Sequence, residues 1–198
     1  MFNDSFGLTQ AALDGRKTQT RRIITPFHTF SNEPTVATCV DPGKDFGKVR
    51  IFDGITKVAQ SRYRIGEVVA VVQSYRDTFS KLDWVNVLAY KGTAGWKNKM
   101  FVAPDLMKHR IKIKDIRVEK QQDISFDDCL AEGILEWKVK DFRPVSYAYD
   151  AELDPKKKKK WFQSPIEAYL QLCRKIYAGP MWAIYNPLVF VYEFELIK

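Results

Sequence analysis

The chain has few residues that can cross-link it or bind a transition metal. Its 198 residues include three cysteines, Cys39, Cys129 and Cys173, and two histidines, His28 and His109, all far apart. A disulfide framework needs paired cysteines, and a zinc site needs closely spaced Cys or His ligands. We therefore expect reduced thiols, no metal site and no cofactor.

Long apolar runs are also missing. No stretch reaches the length of a membrane-spanning helix, and the first residues lack the basic and then apolar segments of a secretory signal. We therefore expect a soluble, cytoplasmic protein without a membrane partner. Hydrophobic residues make up 45% of the chain and charged residues 28%, which is typical of a globular protein. The length fits one domain over residues 1–198.

Charge of one sign is in excess. The formal net charge is +8, with a pI near 9.3, which favours polyanionic partners such as RNA or DNA. Five of these charges belong to one run, Lys156–Lys160, so the basicity is local. A lysine run of this kind is usually only a solubilising surface, and the sequence leaves its role open.

The most unusual stretch is Gly15–Ile24. Between Arg16 and Arg22 it carries four cations and two threonine hydroxyls without an acid. The preceding residues, Leu8–Asp14, have the apolar spacing of a short helix that Gly15 would end, and the two isoleucines after the run predict a strand. A basic bend between a helix and a strand is suited to an anionic or strongly polar ligand. The alternative is a solvated basic surface, which is the usual role of a short basic run.

The rest of the chain predicts an α+β barrel more readily than a doubly wound sheet. We expect five to seven strands and three helices, with a long loop over Thr25–Gly47 and a surface excursion over Lys138–Lys160. The predicted strands after the basic stretch are Lys48–Phe52, Ile55–Gln60, Val68–Val72, Trp84–Tyr90, His109–Glu119 and Val189–Ile197. An Asp53-Gly54 turn joins the first two, and Val68–Val72 is expected to be buried. His109–Glu119 is expected to have a bulge at Lys114–Asp115 and a wet, solvent-exposed face formed by Arg110, Lys112, Lys114 and Arg117. The other predicted helices are Ser125–Gly133 and one that Ser164-Pro165 opens.

Glu132 is placed against its local preference. It lies at the C-terminal end of the predicted helix Ser125–Gly133, where the helix dipole disfavours a carboxylate. This indicates a role for Glu132 other than helix formation.

Four blocks along the chain resemble the ASCH domains, in particular their phage-type versions. The blocks are Leu13–Ile24, Tyr63–Glu67, Arg110–Gly133 and Asn186–Phe194. They span nearly the whole chain, with residues 25–62 and 138–160 as insertions. The resemblance implies a PUA-like mixed or antiparallel β-barrel with flanking short helices, a fold linked to RNA recognition.

The resemblance also implies an activity. Some small bacterial ASCH proteins are amidohydrolases that deacetylate acetylcytidine with a lysine, a threonine and a glutamate. By motif these correspond to Lys17 and Thr20, in a matching Lys-x-x-Thr, and to Glu132. The implied partner is RNA or a modified nucleoside.

A metal-free amide hydrolase needs a nucleophile, a base, a proton donor and stabilisation of the oxyanion. We expect Lys17 as base or electrostatic activator, Thr20 as nucleophile or water-positioner, and Glu132 as acid and base. Lysine acts as a base only if burial or nearby cations lower its pKa. Residues 17 and 20 would face opposite sides of a regular strand, so this hypothesis requires a bend between them and a shared pocket.

The alternative is an RNA-binding module of phage or mobile-element origin that performs no chemistry. In it, cations contact phosphates and aromatic rings stack on bases. The candidate residues are Arg16, Arg21, Arg22, Tyr75, Trp182, Tyr185 and Asn186. The sequence leaves open the physiological substrate, the choice among RNA, DNA and free nucleoside, and the oligomeric state.

Overall fold

A computed structural model of the chain describes residues 2, 4–24, 33–40, 43–79, 83–139, 146–150, 160–177 and 185–197. Within these residues the fold is mixed α+β, with short helices around antiparallel sheets. The strands are β1 Gln19–Ile23, β2 Thr35–Thr38, β3 Val49–Asp53, β4 Thr56–Gln60, β5 Val68–Ala70, β6 Arg110–Lys120, β7 Leu135–Val139, β8 Ser146–Asp150, β9 Trp161–Phe162 and β10 Leu188–Ile197. The α-helices are α1 Leu8–Leu13, α2 Tyr75–Thr78, α3 Trp84–Tyr90, α4 Phe126–Ala131 and α5 Pro165–Ile176. Single 3-10 turns lie at Asp4–Phe6, Ala94–Trp96, Lys99–Phe101 and Pro104–Leu106.

The main sheet has four antiparallel strands in the order β1-β10-β6-β5 and curls into a half barrel. Its two long central strands, β6 and β10, slip in register where Glu193 faces Asp115 and Phe194 faces Ile113. Lys114 is therefore an extra residue on β6, so the predicted bulge is confirmed. Two smaller antiparallel sheets, β2-β3-β4 and β7-β8-β9, accompany the main sheet.

The two faces of the main sheet pack against different cores. One core joins apolar side chains of the main sheet to those of β3, and its buried members include Val49, Ile51, Val71, Ile111, Ile113, Ile116, Phe190, Tyr192 and Phe194. The other joins α1, α4, α5 and β8, and its buried members include Leu8, Ala11, Cys129, Tyr149, Ala168, Tyr169, Leu172 and Cys173. Period-two alternation along β1 sends Gln19 and Arg21 to one side of the sheet and Thr20 and Arg22 to the other.

Helix boundaries follow the predicted capping residues. The hydroxyl of Ser125 accepts a hydrogen bond from the N–H of Asp128, and that of Ser164 accepts one from Ile166 ahead of α5. Gly15 and Gly133 follow α1 and α4 with φ of 74° and 103°, a region that glycine enters without a Cβ clash. These predicted helix ends are confirmed.

Some predictions from the sequence were wrong. Trp84–Tyr90 is helix α3 and not a strand, because Val87 and Tyr90 pack inward at helical spacing while Val85 and Leu88 remain exposed. The expected strand at Val68–Val72 ends at Ala70, and Val68 is 48% exposed.

Two segments expected to lack regular structure contain strands. The loop expected over Thr25–Gly47 includes β2, and the excursion expected over Lys138–Lys160 includes β8 and the end of β7. The described residues therefore hold ten strands and five α-helices, more than the five to seven strands and three helices expected. In both segments the strand is formed by pairing with a neighbouring strand, and the polar local sequence did not predict that pairing.

Candidate active site

Backbone hydrogen bonds bring the basic stretch to the end of α4. After Gly15, the N–H groups of Arg16 and Lys17 both donate to the carbonyl of Ala11, at 3.0 and 2.9 Å. The next N–H, that of Thr18, donates to the carbonyl of Ala131 at 2.9 Å. Lys17 is thereby fixed beside the residue that follows α4, which is Glu132.

Lys17 and Glu132 form a buried ion pair. The Lys17 Nζ lies 2.5 Å from Glu132 Oε2 and also donates to the Glu132 carbonyl at 3.0 Å. The lysine is 1% exposed and the glutamate 6% exposed. Removing two charges from water costs several kcal/mol per ion before their attraction is counted, so a pair at this depth is a poor device for stability alone.

Burial lowers the pKa of the Lys17 ammonium. Glu132 opposes this shift through its charge and its hydrogen bond, and the nearby Arg22 adds to it. The net direction is down from the usual value of lysine, which brings the amine closer to acting as a base.

Arg21 approaches the same carboxylate from the other side. Its Nη2 donates to Glu119 at 2.7 Å and to Asp128 at 2.9 Å, and its Nη1 lies 3.8 Å from Glu132 Oε1. The Arg21 Nη1 and the Glu132 Oε1 are both buried without a hydrogen-bond partner among the described residues. Burial alone would lower the pKa of Arg21, but Glu132 and the other neighbours outweigh it and raise that pKa.

Arg117 supports Arg21 through a shared carboxylate. Its Nη2 lies 3.0 Å from Asp128 Oδ1, and the same guanidinium contacts Glu119, Glu193 and the side chain of Gln19. The expectation that Arg117 belongs to the wet face of β6 was therefore wrong. Helix α4 supplies Asp128 on that face of the sheet, so the charge of Arg117 is paired with carboxylates in a partly buried position.

A cavity of about 800 Å³ opens beside the ion pair. Lys17, Thr20 and Glu132 all line it, together with Arg21 and Arg22. Lys17 lies in the loop before β1 and Thr20 lies within β1, and burial alternates from Lys17 through Arg21, so the expected bend is not seen, but the cavity reaches both Lys17 and Thr20. The three expected catalytic residues therefore share one pocket.

The other predicted cations occupy different surroundings. Arg16 is exposed and pairs with Asp14 at 3.2 Å, away from the cavity lining. Arg22 is exposed and lines the cavity. Arg21 is the buried one, so its charge is directed at carboxylates of the protein.

The predicted aromatic residues do not gather at the cavity. Tyr75 is 4% exposed, stacks on Phe79 and accepts a hydrogen bond from the N–H of Ala103, so its ring faces a core. Tyr185 is 62% exposed and does not line the cavity. Trp182 lies outside the described residues.

Asn186, the last predicted binding residue, has a structural contact. It adopts a φ of 39°, and its side-chain oxygen accepts a hydrogen bond from the N–H of Gln122 at 2.8 Å. This bond joins the start of β10 to the turn after β6.

Sequence reasoning missed the carboxylates that surround Arg21. From the sequence, Asp128 is only one residue of the predicted helix Ser125–Gly133, and Glu119 is only the end of a predicted strand. A signal was available in the period-two alternation, because Arg117 and Glu119 share the face of β6 on which α4 packs.

The described residues contain no group of three or more His, Cys, Asp or Glu side chains placed to hold a metal ion. No helix in the same ranges has the length and apolar character to cross a membrane.

Comparison with models of protein families, with curated proteins and with solved structures finds no match to this chain. The geometry of the site is therefore the basis on which we assign a function.

Proposed function

We propose that the protein is a metal-independent amidohydrolase that acts on N-acylated cytidine nucleosides and that its half barrel is of the PUA-like ASCH type. The observation that carries the proposal is the buried Lys17–Glu132 pair, 2.5 Å apart, in the wall of a cavity that Thr20 also lines. A cavity of about 800 Å³ has room for a nucleoside, since pockets for such ligands measure roughly 300–1,000 Å³.

Each residue of the pocket has a property that amide hydrolysis requires. Lys17 has a pKa lowered by burial, so a larger fraction of its amine is neutral and able to accept a proton than in an exposed lysine. Glu132 is held within hydrogen-bonding distance of it and is able to pass a proton back. Thr20, a half-buried residue of β1, lines the cavity and carries a hydroxyl group.

The reaction that we propose proceeds in two balanced steps. In the first, Thr20 Oγ1 bonds to the acyl carbon, its proton passes to the neutral Lys17 amine, and the carbon–nitrogen bond breaks as that proton is returned to the leaving amino group. In the second, water attacks the threonine ester, giving a carboxylic acid and the free hydroxyl. Glu132 accepts hydrogen bonds from Lys17 and from the amine throughout.

Arg21 has a supporting role in this proposal. Its Nη2 is held by Glu119 and Asp128, which leaves Nη1 near Glu132 Oε1 without a hydrogen bond. A fixed cation here attracts the Glu132 side chain and holds it beside Lys17. Arg21 is thus a positioning residue.

The experiment is hydrolysis of acetylcytidine, followed by the release of cytidine, for the wild type, Lys17→Met and Glu132→Gln. We expect turnover by the wild type and a loss of at least a hundredfold in each variant, given that general acid–base groups contribute about 10²–10⁴-fold. Arg16→Met, which removes an exposed cation outside the cavity, is the matched control and should keep wild-type turnover. A folded wild type without activity on any N-acylated nucleoside would overturn the proposal.

A second candidate function is RNA binding without chemistry, and the charge of the cavity favours it. Six cationic side chains line the cavity against three carboxylates, and four of the cations, Arg22, Arg76, Lys97 and Lys99, lie outside the Lys17–Glu132–Arg21 cluster. This alternative predicts affinity for RNA that falls steeply with salt and that Lys17→Met lowers only slightly. Measuring both properties beside the hydrolysis assay separates the two functions.

A further inference from the structure

A second cavity adjoins the cavity beside the ion pair. Its volume is about 370 Å³, and five residues line both cavities: Phe2, Thr20, Arg22, Lys99 and Met100. Lys17 and Glu132 line only the larger one. Thr20 therefore stands at the boundary between a charged compartment and a second compartment.

The second cavity is built mainly from apolar side chains of the main sheet. Thr20 pairs with Tyr192 across β1 and β10, and Val69 pairs with Ile111 across β5 and β6. Because paired residues share a face of a sheet, these side chains point to the same side. Further apolar members of the lining include Phe2, Val71, Val72, Val102, Ile113 and Phe194.

From this arrangement we propose that the second cavity receives the acyl group of the substrate and that the enzyme prefers acyl chains longer than acetyl. This inference rests on the proposed function. With the scissile amide at Thr20, the polar nucleoside occupies the charged compartment and the acyl chain the apolar one. An acetyl group would place a single methyl at the entrance and leave most of the 370 Å³ unfilled.

The chemistry of the lining selects the kind of acyl group. Each methylene that moves from water into an apolar site gains roughly fourfold in binding, provided that the site has room for it. The lining carries no carboxylate among the described residues, and its two cations other than Arg22 are Arg62 and Lys99. A linear aliphatic or an aromatic acyl group fits this lining, while a charged acyl group gains nothing from the apolar walls.

The first measurement is kcat/KM for cytidines that carry acetyl, butanoyl, hexanoyl or benzoyl on the exocyclic nitrogen. We expect kcat/KM to rise about threefold to fourfold for each added methylene until the cavity is full. Equal or falling values along the series, from an enzyme that hydrolyses acetylcytidine, would overturn the inference and leave the proposed function standing.

A matched pair of variants on β5 localises the effect. Val69 lines the second cavity, whereas the adjacent Val68 is 48% exposed and does not. Val69→Phe should lower the hexanoyl-to-acetyl ratio of kcat/KM at least tenfold, and Val68→Phe should leave that ratio at its wild-type value. The same ratio in both variants would contradict the assignment of this cavity.

Binding of a compound that cannot be hydrolysed tests the cavity apart from catalysis. N4-hexylcytidine and N4-methylcytidine carry no acyl carbonyl on the exocyclic nitrogen, and calorimetry gives their Kd for the wild type and both variants. We expect the hexyl compound to bind at least tenfold more tightly to the wild type and to Val68→Phe, with the difference lost in Val69→Phe. If no acyl compound is hydrolysed but this pattern holds, the proposed function fails and the cavity assignment stands. Equal Kd values for the two compounds would refute the assignment.

Discussion

The N–H of Thr18 donates to the carbonyl of Ala131 at 2.9 Å, a backbone bond between residues that are far apart in sequence. It ties the turn before β1 to the end of α4 and places Lys17 next to Glu132. Because the tie is made by backbone atoms, side-chain variants of the ion pair leave it in place. The stability and the chemistry of the pair are therefore open to separate measurement.

The first prediction concerns the stability of the Lys17–Glu132 pair. Lys17→Met leaves the buried Glu132 carboxylate without its ammonium partner, which should lower the free energy of unfolding by about 3–5 kcal/mol. The double variant Lys17→Met/Glu132→Leu should recover most of that loss, because it removes both charges. Urea denaturation measures the wild type, Lys17→Met, Glu132→Leu and the double variant. A double variant as unstable as the sum of two single losses would show that the two side chains do not interact.

The second prediction concerns Gly95. A Cβ at this position would lie 2.5 Å from a ring carbon of Tyr75 and 2.8 Å from the carbonyl oxygen of Phe101. Gly95→Ala should therefore cost about 1–3 kcal/mol, the usual range for overpacking. Gly92→Ala is the control, because a Cβ there meets nothing within 4 Å, and it should stay within about 0.5 kcal/mol of the wild type. Equal unfolding free energies for the two variants would contradict the packing of the Tyr75 ring.

Local signals in the sequence were enough for the elements that carry the site. Ser125 and Gly133 delimit α4 through a side-chain cap and a positive φ, which are properties of single residues and short spacings. The same holds for the alternation in β6 and its bulge at Lys114. Lys17, Thr20 and Glu132 were predicted as site residues from the resemblance to ASCH domains, and in the structure they line one cavity.

What the sequence could not supply is long-range pairing. Strand β8 follows a polar segment and acquires its structure from β7 and β9 on either side, while Trp84–Tyr90 looks like a strand by composition and becomes a helix. The surroundings of Arg21 have the same origin. Its partners Glu119 and Asp128 come from β6 and α4, so its burial depends on how the two elements pack.

The third prediction concerns Thr20. Thr20→Ser keeps a hydroxyl at the boundary of the two cavities, so its activity on acetylcytidine should stay within about tenfold of the wild type. Thr20→Val has the same shape without the hydroxyl, so its activity should fall at least a hundredfold. Thermal unfolding of both variants shows whether the fold is kept. Activity of Thr20→Val near the wild-type value would remove Thr20 as the nucleophile.

The fourth prediction uses the pH dependence of stability. Burial alone would raise the pKa of Asp128, but Arg21 and Arg117 outweigh it and lower that pKa below the ordinary 3.8. A carboxylate with a lowered folded-state pKa stabilises the protein above its unfolded-state pKa, and this stabilisation disappears as the pH falls through the folded-state value. The stability difference between the wild type and Asp128→Asn should therefore be largest at neutral pH.

The difference should shrink as the pH falls below about 3.8. Urea denaturation of both proteins between neutral pH and acid measures it. Asp127→Asn, an exposed neighbour without an ion pair among the described residues, is the control and should follow the wild-type curve. A constant difference between the wild type and Asp128→Asn would mean that the two guanidinium groups do not hold this carboxylate in its charged form.

The last prediction concerns the three thiols. Cys129 and Cys173 are buried, and burial raises the pKa of their thiols to about 12 and about 11. Cys39 is partly exposed. Because the thiolate is the reactive form, Ellman's reagent at pH 8 should titrate one thiol per native chain quickly and three in guanidinium chloride. Cys39→Ser should abolish the fast phase. Cys173 lines the larger cavity. A second fast thiol in the native chain would therefore show that the reagent reaches the cavity wall. A bound nucleoside should then slow the reaction of that second thiol.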